Sequence, residues 1–131
     1  MRSQIPQMLK QGQGVIINNA SILGEVGFAN ASAYVASKHA VLGLTKTAAI
    51  EYAALGIRIN AVCPAFIETP MLERGGLTTD REVYEMIAGL HPIKRLGKPE
   101  EIASAVIWLC SDEASFVTGH AMLIDGGYVA Q

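Results

Sequence analysis

The chain has 131 residues, half of them apolar and only 17% charged, with ten basic and twelve acidic side chains giving a formal charge of −2. That length is one domain's worth of protein and excludes a large multidomain enzyme. The apolar excess opposes disorder, and the lack of any run of one sign leaves no basic stripe to neutralise phosphates, so no nucleic-acid binding is expected.

The opening segment from Gln4 to Lys10 reads as the last turns of a helix ended by Gly12 and Gly14. Val15 to Asn19 is a short apolar run bounded by glycine and Ser21, which predicts a buried strand. Ser32 to Leu55 is rich in alanine, contains no proline and closes at Gly56, predicting a helix of about six turns. Arg58 to Cys63 follows as a second strand, stopped by Pro64. The stretch from Pro64 to Thr79 is polar and broken by Pro and Gly, too long for a plain connector. With a short helix over Asp80 to Ala88 it forms a lid spanning 64–90. Pro99, with Glu100 and Glu101 in the first turn, opens an amphipathic helix running to Cys110. Ala121 to Asp125 is a third strand, stopped by Gly126 and Gly127.

Strands alternating with helices are the order of parallel βαβ units, so the fold class is α/β, with 1–131 as a single, partial domain. Three strands have too few helices to cover both sheet faces, and the first strand presents an unpaired apolar edge, as part of a larger sheet would. Cys63 and Cys110 both sit in apolar stretches and are expected as buried thiols. No segment has the make-up of a signal peptide or the length of a membrane span, so a cytoplasmic protein without membrane contact is expected. His39, His91 and His120 lack metal-ligand spacing, and no metal is expected. Trp108 reads as a packing residue, and Lys94-Arg95 as a small solvated patch. Met71 and Leu72 serve either to close over an apolar substrate or to pack the short helix.

One pair of residues carries chemistry. Tyr34 and Lys38 stand four residues apart on one face of the long helix. A fixed positive charge beside a phenol favours the phenolate, so such a tyrosine can protonate a carbonyl oxygen or deprotonate an alcohol. Ser21, at the end of the first strand, is placed to hold the same oxygen by a hydrogen bond. A Tyr-x-x-x-Lys pair alone is common on helices; its neighbours make it specific.

Asn18 to Gly24, Tyr34 to Lys38, Ile57 to Pro64, Pro64 to Thr69 and Gly119 to Gly127 together resemble, in order, the catalytic half of the short-chain dehydrogenase/reductases. The resemblance spans the whole chain. It implies a Rossmann-type doubly wound parallel sheet, of which these are the last three strands with their crossover helices. It also implies an NAD or NADP cofactor and interconversion of a secondary alcohol and a ketone by hydride transfer. In that family Tyr34 would be the general acid/base, Ser21 the carbonyl-orienting hydroxyl, and Lys38 both the perturber of Tyr34 and a ligand of the nicotinamide ribose. Pro64, Ile67 and Thr69 would contact the nicotinamide, Ile67 through its backbone and Thr69 through its hydroxyl. Ser21, Ile22, Leu23, Phe28 and Phe66 would shape the site for a small alcohol or ketone. The family's helices also imply a homodimer or tetramer, which would bury residues such as Leu44, Ala48 and Leu55, unless these cover the sheet instead.

Two departures bear on function. Ala65 stands where the family usually has glycine, which limits backbone freedom beside the ring. The N-terminal half of the fold is missing, and with it the glycine-rich turn that receives the pyrophosphate, so dinucleotide binding is expected to be impaired. The alternative function is therefore a truncated, inactive fragment that at most associates with full-length subunits through the dimer helices.

Overall fold

A computed structural model of the chain describes residues 1–76 and 79–131. Helix α1, Gln4–Gln11, buries Ile5 and ends at Gly12, whose N–H bonds back to Leu9 O. Strand β1 is Gly14–Asn19 and strand β2 Ile57–Pro64, joined through the long helix α2, Ser32–Tyr52. Helices α3, Pro70–Arg74, and α4, Arg81–Gly89, follow, then α5, Pro99–Cys110, and strand β3, Ala121–Ile124. The strands form one parallel sheet in the order β1-β2-β3, in register from Gly14↔Ile57 to Asn19↔Val62 and from Ala61↔Ala121 to Pro64↔Ile124. The fold is the α/β arrangement expected, half of a Rossmann-type sheet.

Central strand β2 is buried on both faces, and its period of two sorts its contacts. Ile57 and Ile59 pack with Ile5, Ile16, Ala48 and Ala49, while Ala61 and Cys63 pack with Ala20 and Leu42, so α2 covers this face. Ala48 thus covers the sheet, whereas Leu44 and Leu55 are about half exposed. On the opposite face, the Arg58 guanidinium donates to Leu109 O (2.8 Å) and Ser111 O (3.0 Å), satisfying carbonyls at the end of α5. Asn60, fully buried, donates to Val117 O (2.9 Å) and accepts from His120 N (3.0 Å), stapling the turn that leads into β3. The outer edge of β1 pairs with no strand among the described residues.

At the start of the sheet, Gly56 adopts φ 81°, and a Cβ there would collide with the carbonyl oxygen of Gly12. This close approach lets Gly14 N donate to Gly56 O (3.1 Å), so both strands enter the sheet at the same level.

Several expectations are corrected. Pro64 does not stop β2 but ends it from within, paired with Ile124; proline loses only its own donor, and Ala65 N supplies the next bond to Ile124 O at 3.3 Å. The α-helix expected to run to Leu55 ends at Tyr52, with a 3-10 turn over Ala53–Leu55. The segment 64–79 contains helix α3, with Pro70 in its first turn. Leu77 and Thr78 of the expected lid lie outside the described residues. Cys110 is exposed, because one residue along a helix turns about 100° and it is the neighbouring Leu109 that points to the sheet. Trp108 is 37% exposed, less of a packing residue than its sequence spacing implied. Among the described residues, no helix is long and apolar enough to cross a membrane, and no cluster of His, Cys, Asp or Glu could hold a metal ion.

Candidate active site

Parallel strands deliver their carboxyl ends to one side of the sheet, and the crevice there is where α/β folds bind ligands. A cleft of about 890 Å³ opens at this edge. The turn after β1 contributes Ser21, Ile22 and Leu23, the first turns of α2 contribute Tyr34 and Lys38, and the end of β2 with the segment after it contributes Pro64, Phe66, Ile67 and Thr69. Phe28 lies outside this wall and meets Phe66 edge-on, their ring centroids 6.5 Å apart. Ile22 is only 2% exposed, so it is a wall residue with little surface to offer a ligand.

Ser21 takes an extended backbone and caps the 3-10 turn Ile22–Gly24, its Oγ accepting from Leu23 N at 3.2 Å. That bond occupies a lone pair and leaves the hydroxyl proton free to donate. Lys38 Nζ donates to the main-chain oxygen of Asn19 (3.1 Å) and stands 5.4 Å from the centroid of the Tyr34 ring. The carbonyl at the end of β1 therefore fixes the ammonium beside the phenol. Tyr34 itself lines the cleft and is 48% exposed. Behind Ser21, burial pushes the Cys63 thiol up, keeping it protonated at neutral pH and poor as a nucleophile. Thr69 Oγ1 is buried and has no hydrogen-bond partner among the described residues. An orphaned buried hydroxyl marks a place for a polar group not supplied by the chain.

The strand-end residues, the Tyr34–Lys38 pair and the 64–69 segment thus meet in one place, as sequence reading grouped them. Met71 and Leu72 from α3 also line it, one of the two roles the sequence left open for them; what sequence reading missed is the α5 wall, Ile102, Ala103 and Val106 among it. Leu72 takes both roles left open for it, lining the cleft and packing against Ile87, Ala88 and Leu96, while Met71 is 70% exposed at the rim. The Thr69-Pro70 pair was a helix-start signal that would have found α3; for the α5 wall the sequence carries no signal, since it depends on how the helix lies across the sheet. A smaller cavity of about 120 Å³ shares Ala65, Phe66, Ile67 and Ile102 with the cleft, so the 65–67 segment is a partition between two spaces. Buried His91 borders the smaller one, its Nδ1 facing Ile87 O at 3.0 Å; since a carbonyl only accepts, Nδ1 carries the proton.

The patch read at Lys94-Arg95 is solvated as expected, but its arginine is paired. Arg95 makes a two-pronged pair with Glu101, Nη1 to Oε2 at 2.8 Å and Nη2 to Oε1 at 2.7 Å, across a turn that no helical spacing would reveal. The guanidinium, together with the Lys98 N–H, holds the Glu101 carboxyl at about 2, well below the usual carboxylate range. A carboxyl depressed in the folded state stabilises it above the unfolded value of 4.5, and that contribution is lost as pH falls toward 2. With both side chains more than 40% exposed, solvent screens most of that contribution, so the test is the titration itself: the Glu101 carboxyl followed by NMR is expected to keep its charge well below the usual carboxylate range and to return toward that range in Arg95→Met, and a carboxyl that titrates alike in both would sink the assignment.

A family model described as Enoyl-(Acyl carrier protein) reductase matches residues 1–129. The chain is 50% identical over 131 residues to the cyclohexanol dehydrogenase of Acinetobacter sp. (strain SE19), covering 100% of this chain and 49% of that protein. It is 50% identical over 123 residues to the cis-4-hydroxycyclohexanecarboxylate dehydrogenase of Sinomonas cyclohexanicum, covering 94% and 48%. The solved structure described as ElxO with NADP bound superposes with a TM-score of 0.93 at 39% identity, covering 100% of this chain and 52% of that one. The chain spans about half the length of the curated relatives it matches. With a family model matched over nearly its whole length, relatives 50% identical across it and the parallel α/β sheet of the solved structures, the chain belongs to the short-chain dehydrogenase/reductases.

Proposed function

We propose that this chain is the catalytic portion of an NAD(P)-dependent dehydrogenase that interconverts a secondary alcohol, of the carbocyclic kind its relatives are named for, and the corresponding ketone. The observation that carries this reading is the Lys38 ammonium held 5.4 Å from the Tyr34 ring in the same cleft as Ser21. The residues present fit the nicotinamide half of the cofactor: the unpartnered Thr69 Oγ1 would hold a carboxamide, and Lys38, lining the same cleft, would hold a ribose hydroxyl. Bound nicotinamide supplies or accepts the hydride at the substrate carbon. Ser21 donates its free hydroxyl proton to the substrate oxygen and orients it. Tyr34 Oη takes the alcohol proton in oxidation and returns one to the carbonyl oxygen in reduction, with the Lys38 charge beside the ring where negative charge develops. Phe66, Leu72, Ile102 and Val106 exclude water and favour an apolar ring over a charged substrate.

A second reading, in which the chain alone is inactive and associates with longer subunits, draws on the exposed apolar residues Leu44, Ile50 and Leu55 along α2 and the turn after it. One experiment tests the catalytic reading. Residues 1–131 are joined behind the preceding half of the Acinetobacter cyclohexanol dehydrogenase, and oxidation of cyclohexanol is followed by the absorbance of reduced nicotinamide. Turnover supports the catalytic reading. A folded chimera that binds the dinucleotide but oxidises no secondary alcohol sinks it.

A further inference from the structure

We propose that Arg95 and Glu101 are positioning residues that hold the nicotinamide-facing segment Phe66–Glu68 through the two peptide groups flanking Gly97; the role of that segment rests on the function proposed above. Ile67 forms a parallel bridge with Gly97, and two main-chain bonds straddle it: Gly97 N donates to Phe66 O (3.0 Å), and Glu68 N donates to Gly97 O (2.9 Å). One residue thus grips the backbone on both sides of Ile67. The approach is close: a Cβ on Gly97 would stand 2.5 Å from Ile67 Cδ1, so any larger residue there would have to turn the end of the Ile67 side chain aside.

What fixes Gly97 is the ion pair. The peptide before it spends its N–H on Phe66, and its other end, Leu96 O, accepts from Arg95 Nη1 at 3.0 Å. The peptide after it spends its carbonyl on Glu68, and its other end, Lys98 N, donates to Glu101 Oε2 at 2.8 Å. Each peptide is bonded at one end to the cleft segment and at the other to the Arg95–Glu101 pair. The pair itself closes as a fork, which locks both side chains in one geometry. Buried Leu96, 1% exposed, anchors the turn from beneath. Lys94, just before it, sits at φ 59°, an unfavourable region for a lysine, which the turn maintains as it brings Arg95 round to Glu101. Both charged side chains are more than 40% exposed, where an ion pair adds little to stability. Its value is geometric, and its removal leaves the fold standing.

The test is amide hydrogen exchange by NMR on this chain, with nicotinamide mononucleotide as the ligand probe. Arg95→Met keeps the apolar stem and removes the fork; Glu101→Gln is the second variant. In both, exchange at Glu68 and Gly97 is expected to rise about tenfold or more while Ile59 and Ala61 in β2 keep their protection, and mononucleotide binding is expected to weaken at least fivefold. The exchanged pair Arg95→Glu with Glu101→Arg restores the charges but cannot donate to Leu96 O or accept from Lys98 N, so it is expected not to restore protection. The proposal is overturned if Glu68 and Gly97 stay within twofold of the unaltered chain, or if the exchanged pair restores them. If these amides loosen but the unaltered chain takes up no mononucleotide, the positioning role stands and the cofactor reading falls.

Discussion

Tyr34→Phe in the joined chain is expected to lower kcat for cyclohexanol oxidation by about 10²–10⁴, the usual worth of a positioned acid or base, with KM for the alcohol changing little. That loss corresponds to roughly 3–5 kcal/mol of transition-state stabilisation. The substitution removes one oxygen and leaves the ring, so the packing beside Lys38 persists and the Lys38 bond to Asn19 O is untouched. A structural role would spare kcat, whereas a proton-transfer role cannot. Steady-state kinetics decide it: a kcat within tenfold of the unaltered protein would remove Tyr34 from the chemistry and return the pair to an ordinary helix-surface contact.

Asn60→Ala is expected to destabilise the chain by about 1–3 kcal/mol, because one buried main-chain donor is orphaned and a carbonyl loses its shorter hydrogen bond. His120 N loses its acceptor and Val117 O keeps only the longer bond from Arg58 Nη1 (3.4 Å), both next to a fully buried position that water reaches poorly. The same turn is held by Thr118 Oγ1 accepting from Ile59 N (3.1 Å) and by Gly119 N donating to Ile59 O (2.8 Å), so it loosens as a unit. Since whole domains are stable by only about 5–15 kcal/mol, this is a large share. Urea denaturation should show a lower midpoint at unchanged slope. A shift worth less than about 1 kcal/mol would mean that the turn is held by its main-chain bonds alone.

Reading the sequence reached the three strands, the long helix and the residues gathered at the cleft, because these rest on local patterns: period-two burial, glycine stops, and a four-residue step on one helix face. What escaped it was pairing across distance. Asn60 reads as a polar interruption of an apolar run until Val117 and His120, about sixty residues on, supply its partners. Arg95 reads as surface charge because Glu101 lies six residues away, a spacing that neither a helix nor a strand brings together. Cys110 was misjudged for a different reason: an apolar neighbourhood in sequence says nothing about which side of a helix a residue occupies. The α5 wall of the cleft belongs to the first kind, set by how a helix crosses a sheet and by nothing within the helix.

The contact between Gly56 and Gly12 lies at the far end of β1 and β2 from the cleft. Parallel pairing runs unbroken through six residue pairs from Gly14↔Ile57 to Asn19↔Val62, a span of roughly 17 Å. Whatever offset is set at the two glycines is carried intact to the strand ends that bear Ser21 and lead into Pro64. The alignment of the serine with the loop beyond Pro64 is therefore a phase, fixed remotely and transmitted along two strands, not adjusted where the chemistry takes place. A side chain introduced at 56 would register in an assay as a fault of catalysis while touching no group that reacts.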